Sequence, residues 1–338
     1  MLKILTPLVS TLILSGCIIH VNTASAEAKE HVQRQLQLST SNISSLAALT
    51  NAGYLKIIAS SDTDEITASA DIYTIEPNDF VFTLEQQGNT AKLVAKVNAE
   101  NTWRFGGNGP KIDMTITMPS QLALDLTDTS GDIDIKGLIN NIQINDGSGA
   151  LTIDGGDNIT IRDDSGDITV LNAKGNLSIN DGSGEITIRG GQQLTLRDDS
   201  GGIEIANVTG DMQITDGSGD MDIVGGNNLV IKDDSGDISL ASIAGSISVV
   251  DGSGNLTIDG AQSVNIDDDS GYIKVNNTRG DVKIEDGSGD IWVRNAGAVT
   301  IDDDSGDINI DTAQSLEILS DSSGDVRTND IKGGTKIR

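Results

Sequence analysis

Asp163-Asp164-Ser165-Gly166, with Asp146-Gly147-Ser148-Gly149 before it, is the stretch that decides the fold. From Ser130 the Ser-Gly pair returns at Ser148, Ser165, Ser183, Ser200, Ser218, Ser235, Ser253, Ser270, Ser288, Ser305 and Ser323. The step from Ser148 to Ser165 is one residue shorter than the step from Ser130 to Ser148, and the two steps alternate without a break. A fixed period of this length marks a repeat array, in which each unit buries its apolar face only against its neighbours.

With Ser as position zero, position −4 is aliphatic in every unit, from Leu126, Ile144 and Ile161 to Ile301 and Leu319. Position −6 matches it until Glu317 in the last unit. Positions +3 and +5 are aliphatic too, as in Ile168 with Val170, until Thr328. Polar residues sit between them. Each unit therefore reads as two short strands, apolar on one face and polar on the other, joined by the Asp-x-Ser-Gly corner. The expected fold is all-β: a parallel β-solenoid, or β-helix, over residues 128–338.

Asp fills position −2 of every unit, at Asp128, Asp146, Asp163, Asp181, Asp198, Asp216, Asp233, Asp251, Asp268, Asp286, Asp303 and Asp321. An Asp side chain closes a turn on backbone N–H groups, and Gly accepts a positive φ. Stacked units put these carboxylates in columns about 4.8 Å apart, and the sequence reading lines them along the outside edges. The doubled pairs Asp163 and Asp164, Asp198 and Asp199, Asp233 and Asp234, Asp268 and Asp269, and Asp303 and Asp304 are candidates for structural corners. They are also candidates for calcium, which prefers oxygen ligands. The pattern does not match the Gly-rich calcium nonapeptide of secreted β-rolls.

Asp-Gly-Ser-Gly units mostly continue to a Gly turn, such as Gly155-Gly156; Asp-Asp-Ser-Gly units continue to a longer turn, such as Ala173-Lys174-Gly175. If like turns stack on like, a coil of two units and four strands is favoured, with the length from Ser148 to Ser183. A coil of one unit and two strands, with the length from Ser148 to Ser165, is the alternative. Residues 32–127 lack the period but alternate in the manner of half-buried strands, as in Ile112 to Met118. They are expected to form an irregular β cap that shields the first rung. Trp103 and Phe105 are expected to pack on that cap.

Aromatics make up only 2% of the 338 residues, which suits thin aliphatic layers better than a large globular core. A net charge of −29 argues against nucleic acid, whose phosphates need Lys and Arg. The chain has one cysteine, so no disulfide framework or Cys-based zinc site forms within it. His20 and His31 read as isolated surface residues, not as a metal or triad site.

Near the start, Lys3 and the short apolar run Ile4 to Leu14 read as a secretory signal of residues 1–16. Leu14-Ser15-Gly16-Cys17 resembles the bacterial lipobox, which implies cleavage before Cys17 and lipid attachment to it. By the same analogy Ile18 implies sorting to the outer membrane of a Gram-negative cell. Residues 17–31 then serve as anchor and tether, and the membrane is a partner through the lipid alone.

The repeats Ser165-Gly166-Asp167-Ile168, Ser235-Gly236-Asp237-Ile238 and Ser305-Gly306-Asp307-Ile308, after a lead-in strand ending at Pro119, resemble the bacterial putative-adhesin β-helix family. The resemblance spans roughly Leu36 to Ile337 and implies the architecture. It transfers no catalytic motif. Gly202, Asn255 and Tyr272 depart from it, in place of the Asp after Ser-Gly. No Ser-His-Asp set, P-loop or dinucleotide fingerprint is present. Tyr272, Lys274, Trp292 and Arg294 break the polar repeat and form a candidate patch for an envelope protein or a glycan. The reading is a non-catalytic envelope lipoprotein with an adhesin-like or scaffold surface. A calcium- or polysaccharide-binding module is the alternative, and a polysaccharide-degrading enzyme a lesser one.

Overall fold

A computed structural model describes residues 30–97 and 109–338. The lipobox, Cys17, Trp103 and Phe105 lie outside the described residues. Among those described there are thirty strands and no helix. The chain divides into two compact units, Met1–Asn140 and Asn141–Arg338.

In the second unit the strands β10 (Ile142–Asp146), β11 (Leu151–Asp154), β12 (Ile159–Asp163) and β13 (Ile168–Leu171) set the pattern. β10 pairs in parallel with β12, Ile142 opposite Ile159 and Ile144 opposite Ile161; β11 pairs with β13 in the same way. Each strand thus meets the strand two places on, and a parallel β-solenoid results. The favoured two-unit coil is corrected: Ile142 pairs with Ile159 of the very next repeat, and Ile159 with Leu177 of the one after it. Unlike turns stack on each other. Gly155 donates its N–H to Leu171 of the next coil, while Lys174 and Gly175 of the longer turn donate back to Gly156 and Asp157. The extra residue is absorbed locally, so strand register survives.

The four aliphatics of each coil face inward, as Ile159 and Ile161 do from one strand and Ile168 and Val170 from the other. Burying each contributes about 2 kcal/mol. A further inward position lies in the second corner: Ala173, Val208 and Ile243 are buried there and close the narrow end of the core. In the coil before each of them that position is Gly156, Gly191 or Gly226, and side chains of Ile142, Leu177 and Met212 occupy the space a Cβ would take.

The last coil departs from the expected positions. The register shifts after Ile301, so that Ile301 faces Ile318 while Asp302 faces Ser320. Leu316 and Ile318 point inward, and Leu319 sits in the bulge. The turn beginning at Thr312 has the short form, so the residue that other coils spend in the turn is extruded as a β-bulge. Glu317 is thereby turned outward, where Lys336 reaches it at 2.6 Å.

The first unit contains β1 (Glu30–Ser39), β2 (Ser45–Thr50), β3 (Leu55–Ser60), β4 (Glu65–Thr74), β5 (Phe80–Gln87), β6 (Thr90–Val97), β7 (Lys111–Pro119), β8 (Ala123–Thr127) and β9 (Ile133–Lys136). β2 and β3 make a regular coil that the period does not reveal. Leu46 and Ala48 pair with Leu124 and Leu126, and Leu55 and Ile57 pair with Ile133 and Ile135. Its corner is Thr50-Asn51-Ala52-Gly53, without the Ser-Gly signature. β6 covers the other edge of β2, and β7 that of β3, both in parallel. The antiparallel strands β5, β4 and β1 continue these two sheets outward. A bare sheet edge is a template for aggregation, and here no edge of the β2–β3 coil is left unpaired.

Candidate functional site: the corner carboxylates and an outward patch

The corner begins with glycine. After each Ser, Gly adopts φ between 119° and 152°, from Gly131 to Gly324. A Cβ there would lie 1.6 to 2.1 Å from the carbonyl oxygen of the matching Gly one coil earlier. The preceding Gly of Asp-Gly-Ser-Gly has a different reason. A Cβ on Gly182 or Gly217 would fall 2.4 or 2.5 Å from the carbonyl of Asp164 or Asp199 in the coil before. The Ser of the next Asp-Asp-Ser-Gly corner donates its hydroxyl to that Gly's carbonyl, as Ser200 does to Gly182 at 3.4 Å. The alternation of Gly and Asp is therefore a packing rule between unlike corners.

The position −2 aspartates are not on the outside edge. From Asp146 to Asp303 they are buried, 1–6% exposed. The strand period explains the correction: position −2 shares the inward face with −4 and −6. One carboxylate oxygen is held by the corner. Asp146 accepts from the Gly147 N–H at 2.7 Å, Asp181 from Gly182 at 2.8 Å and Asp163 from Ser165 at 3.3 Å. The second oxygen, Oδ2, is buried and has no hydrogen-bond partner in Asp146, Asp163, Asp181, Asp198, Asp216, Asp233, Asp251, Asp268 and Asp303.

The other member of each pair, Asp164, Asp199, Asp234, Asp269 or Asp304, is exposed. The strand ends facing inward at Asp163, and Asp164 follows in the turn, so one carboxylate of the pair is buried and the other is exposed. Among the described residues no group of three His, Cys, Asp or Glu side chains is arranged to hold a metal.

The column is electrostatically costly. Neighbours about 4.8 Å apart repel by roughly 3 to 4 kcal/mol at an effective dielectric of 20. Burial first, and the charges of Asp146 and Asp181 second, push Asp163 up to about 7. The same causes push Asp233 and Asp286 up to about 7 and Asp268 to about 6.

Outward carboxylates form separate ladders. Asp220 accepts the N–H of Asp237, Asp237 that of Asn255, and Asn255 that of Tyr272, at 2.9 to 3.3 Å. Gly202 interrupts the ladder and opens a hollow of about 420 Å³ bordered by Glu185, Glu204 and Asp220. Three residues of the predicted patch, Lys274, Trp292 and Arg294, sit on two neighbouring strands of this face, and Tyr272 stands just before the strand that begins at Ile273. Lys274 lies opposite Trp292, and Asn276 opposite Arg294. Trp292 is 49% exposed. It borders an open hollow of about 300 Å³ with Asn309, Asp311 and Arg327. Arg294 is tied to Asp311 at 3.4 Å, and Arg327 to Asp307 at 2.8 Å.

In the first unit His31 is not isolated. Its Nε2 lies 2.8 Å from Asp71, and its ring stacks on Tyr73 with centroids 4.4 Å apart. The pairing of β1 with β4 sets His31 opposite Tyr73, a long-range match that the sequence alone does not display.

No curated protein matches the chain. Solved structures similar to it include a putative lipid binding protein from Parabacteroides distasonis, 14% identical over 90% of this chain and 96% of that one, with a TM-score of 0.30. A putative adhesin from Bacteroides fragilis is 14% identical over 91% and 97%, with a TM-score of 0.22. A putative cell adhesion protein from Clostridium sporogenes is 9% identical over 71% and 100%, with a TM-score of 0.26. A family model covers most of the chain, at residues 55–241 and 224–335, and the chain belongs to that family, Toastrack DUF4097.

Proposed function

We propose that this chain is a non-catalytic, adhesin-like surface of the cell envelope, anchored through lipid on Cys17 and sorted to the outer membrane. The observation that carries the reading is the outward patch of Tyr272, Lys274, Trp292 and Arg294. An indole half open to water on a rigid parallel sheet, flanked by cations, is the composition of a contact hot spot. The sheet beneath it is held by register-true hydrogen bonds, so the patch meets a partner with little ordering cost. The inward positions are buried between the sheets of each coil, which leaves the outer faces to do the binding. The partner is an envelope protein. A glycan is the second reading, favoured by the hollow beside Trp292, where Asn309, Asp311 and Arg327 offer hydrogen bonds around an aromatic face.

The test is attachment of cells carrying Trp292→Ala against cells carrying the outward control Val230→Ala. Attachment and biofilm formation are expected to fall several-fold in the first and to hold in the second. Unchanged attachment after deletion of the whole gene would reject the proposal. Binding of the purified chain on a glycan array, lost in Trp292→Ala, would select the glycan. Labelling with a fatty-acid analogue, lost in Cys17→Ser, checks the anchor.

A further inference from the structure

The interior column of aspartates has no use in a surface that binds through its outer faces, yet it runs the length of the second unit. Successive carboxyls are one strand spacing apart, about 4.8 Å. From Asp146 to Asp303, all but Asp286 keep one oxygen on their own corner and leave the other, Oδ2, buried without a partner; in Asp286 neither oxygen has one. The groups that face each carboxyl are the column aspartates of the coils above and below. Beyond them lie Asp164, Asp199, Asp234, Asp269 and Asp304 at the corners, Asp167, Asp237 and Asp290 just before the strands that follow, and Asp267 on a strand. No cation of the described residues is among those facing groups.

The first unit shows what such a column accepts. Thr50 stands in the place of the aspartate one coil before Asp128, and its hydroxyl donates to Asp128 Oδ1 at 2.5 Å. A donor on one rung therefore reaches the carboxyl on the next. Where every rung is a carboxyl, the only donor the column can make for itself is a protonated one.

We propose that the aspartate column of the second unit is a proton-binding ladder, in which about one carboxyl in two carries a proton at neutral pH and gives it to an oxygen on the adjoining coil. Coulomb repulsion falls because no two neighbours are both charged, and the buried Oδ2 atoms gain partners. Burial, with neighbouring charge, raises proton affinity along the column, to about 7 at Asp163, Asp233 and Asp286 and to about 6 at Asp181, Asp216, Asp268 and Asp303. A metal column fits worse. Two coils offer an ion two free carboxylate oxygens, whereas calcium takes six to eight. The corner carbonyls nearby are engaged, Ser165 by the Gly149 N–H and Gly147 by the Ser165 hydroxyl.

The experiment is proton release on unfolding of the full chain by guanidinium in weakly buffered solution at pH 7. About four to five protons per chain are expected, because the carboxyls return to their ordinary range. Infrared spectra of the folded chain at pH 7 should show the carbonyl stretch of protonated carboxyl groups. The double variant Asp198→Asn with Asp233→Asn should release fewer protons and weaken that band. If the variant does not fold, release and the band in the unaltered chain decide the matter. Release of less than one proton overturns the proposal. So does one metal ion per two coils, retained through dialysis against chelator and lost in the variant.

Discussion

The glycine after each Ser answers two demands at once, a positive φ and the absence of a Cβ. Gly201 has φ of 141°, and a Cβ there would sit 1.8 Å from the Gly184 carbonyl oxygen. Backbone cannot yield as a side chain can. Gly201→Ala is therefore expected to cost about 4 kcal/mol or more, read as loss of the folded state or a large fall in Tm. Gly225 is the control: its φ is 87°, but nothing lies within 4 Å of its missing Cβ. Gly225→Ala meets only the left-handed backbone penalty, about 1 to 2 kcal/mol. Equal effects of the two changes, measured by denaturant unfolding, would contradict the stacking argument.

The buried aspartates also set how stability follows pH. Burial first, and neighbouring charge second, raise Asp233 from 3.8 to about 7 in the folded chain. The unfolded chain has let its proton go by then, so the folded state binds more protons across that window. The stabilisation is complete below about pH 4 and is lost as pH rises through 6 and 7. Tm is therefore expected to fall between pH 5 and pH 8. Asp233→Asn retains an oxygen for the Ser235 N–H and removes a buried charge, so it should raise Tm at pH 8 and flatten the slope. The exposed Asp234→Asn removes the same formal charge and should change the slope little. If both variants act alike, general charge repulsion, not the column, governs the pH response.

At the scale of elements, the strands are legible because side-chain alternation on a two-sided coil is written directly into position. Ile168 with Val170 and Ile186 with Ile188 can face only one way. The corners are half legible. Asp and Gly name a turn, but the direction of the Asp side chain depends on whether the corner continues the inward face of its strand, as at Asp163, or leaves it, as at Asp164. Coil size misleads because Gly155-Gly156 and Asn172-Ala173-Lys174-Gly175 look like different elements. They are one corner, and Asn172 takes φ of 56° where Gly155 takes 113°. The β2–β3 coil is hidden since Thr50 and Ala52 replace the Asp and Ser that carry the period. His31 with Tyr73 is illegible because an antiparallel pairing of strands so far apart in the chain leaves no local trace.

The second corner also holds a core position that period-two reading overlooks. Ile243 is buried in that turn, 3% exposed, and closes the end of its coil. Ile243→Ala should cost about 2 to 4 kcal/mol, as for an aliphatic truncation in a packed core. Val230→Ala, an outward strand position that is 49% exposed, should stay within about 0.5 kcal/mol. Chemical denaturation of the two variants separates a plugged corner from a decorative one.

For the second unit as a whole, stability comes from interfaces between neighbouring coils, since no coil buries enough to fold alone. What repeats in packing terms is the pair of unlike corners, although what repeats in backbone terms is the single coil. Deletion tells these apart. Removing residues 184–218 joins Ser183 to Gly219, restores Asp-Gly-Ser-Gly and leaves long turns stacked on short ones. That chain should fold cooperatively with Tm lower by only a few degrees, because its one new junction stacks a short turn on a long one, as the protein already does elsewhere. Removing residues 184–200 joins Ser183 to Gly201 and also restores the corner motif. It sets the long turn at Asn207 directly on the long turn at Asn172. Gly191 and its short turn no longer lie between Ala173 and Val208, so these two inward side chains meet where a glycine separated them. The shorter deletion should therefore do the greater harm, by about 2 kcal/mol or more. Tm values ranked in simple order of residues lost would mean that unlike corners are not required to alternate.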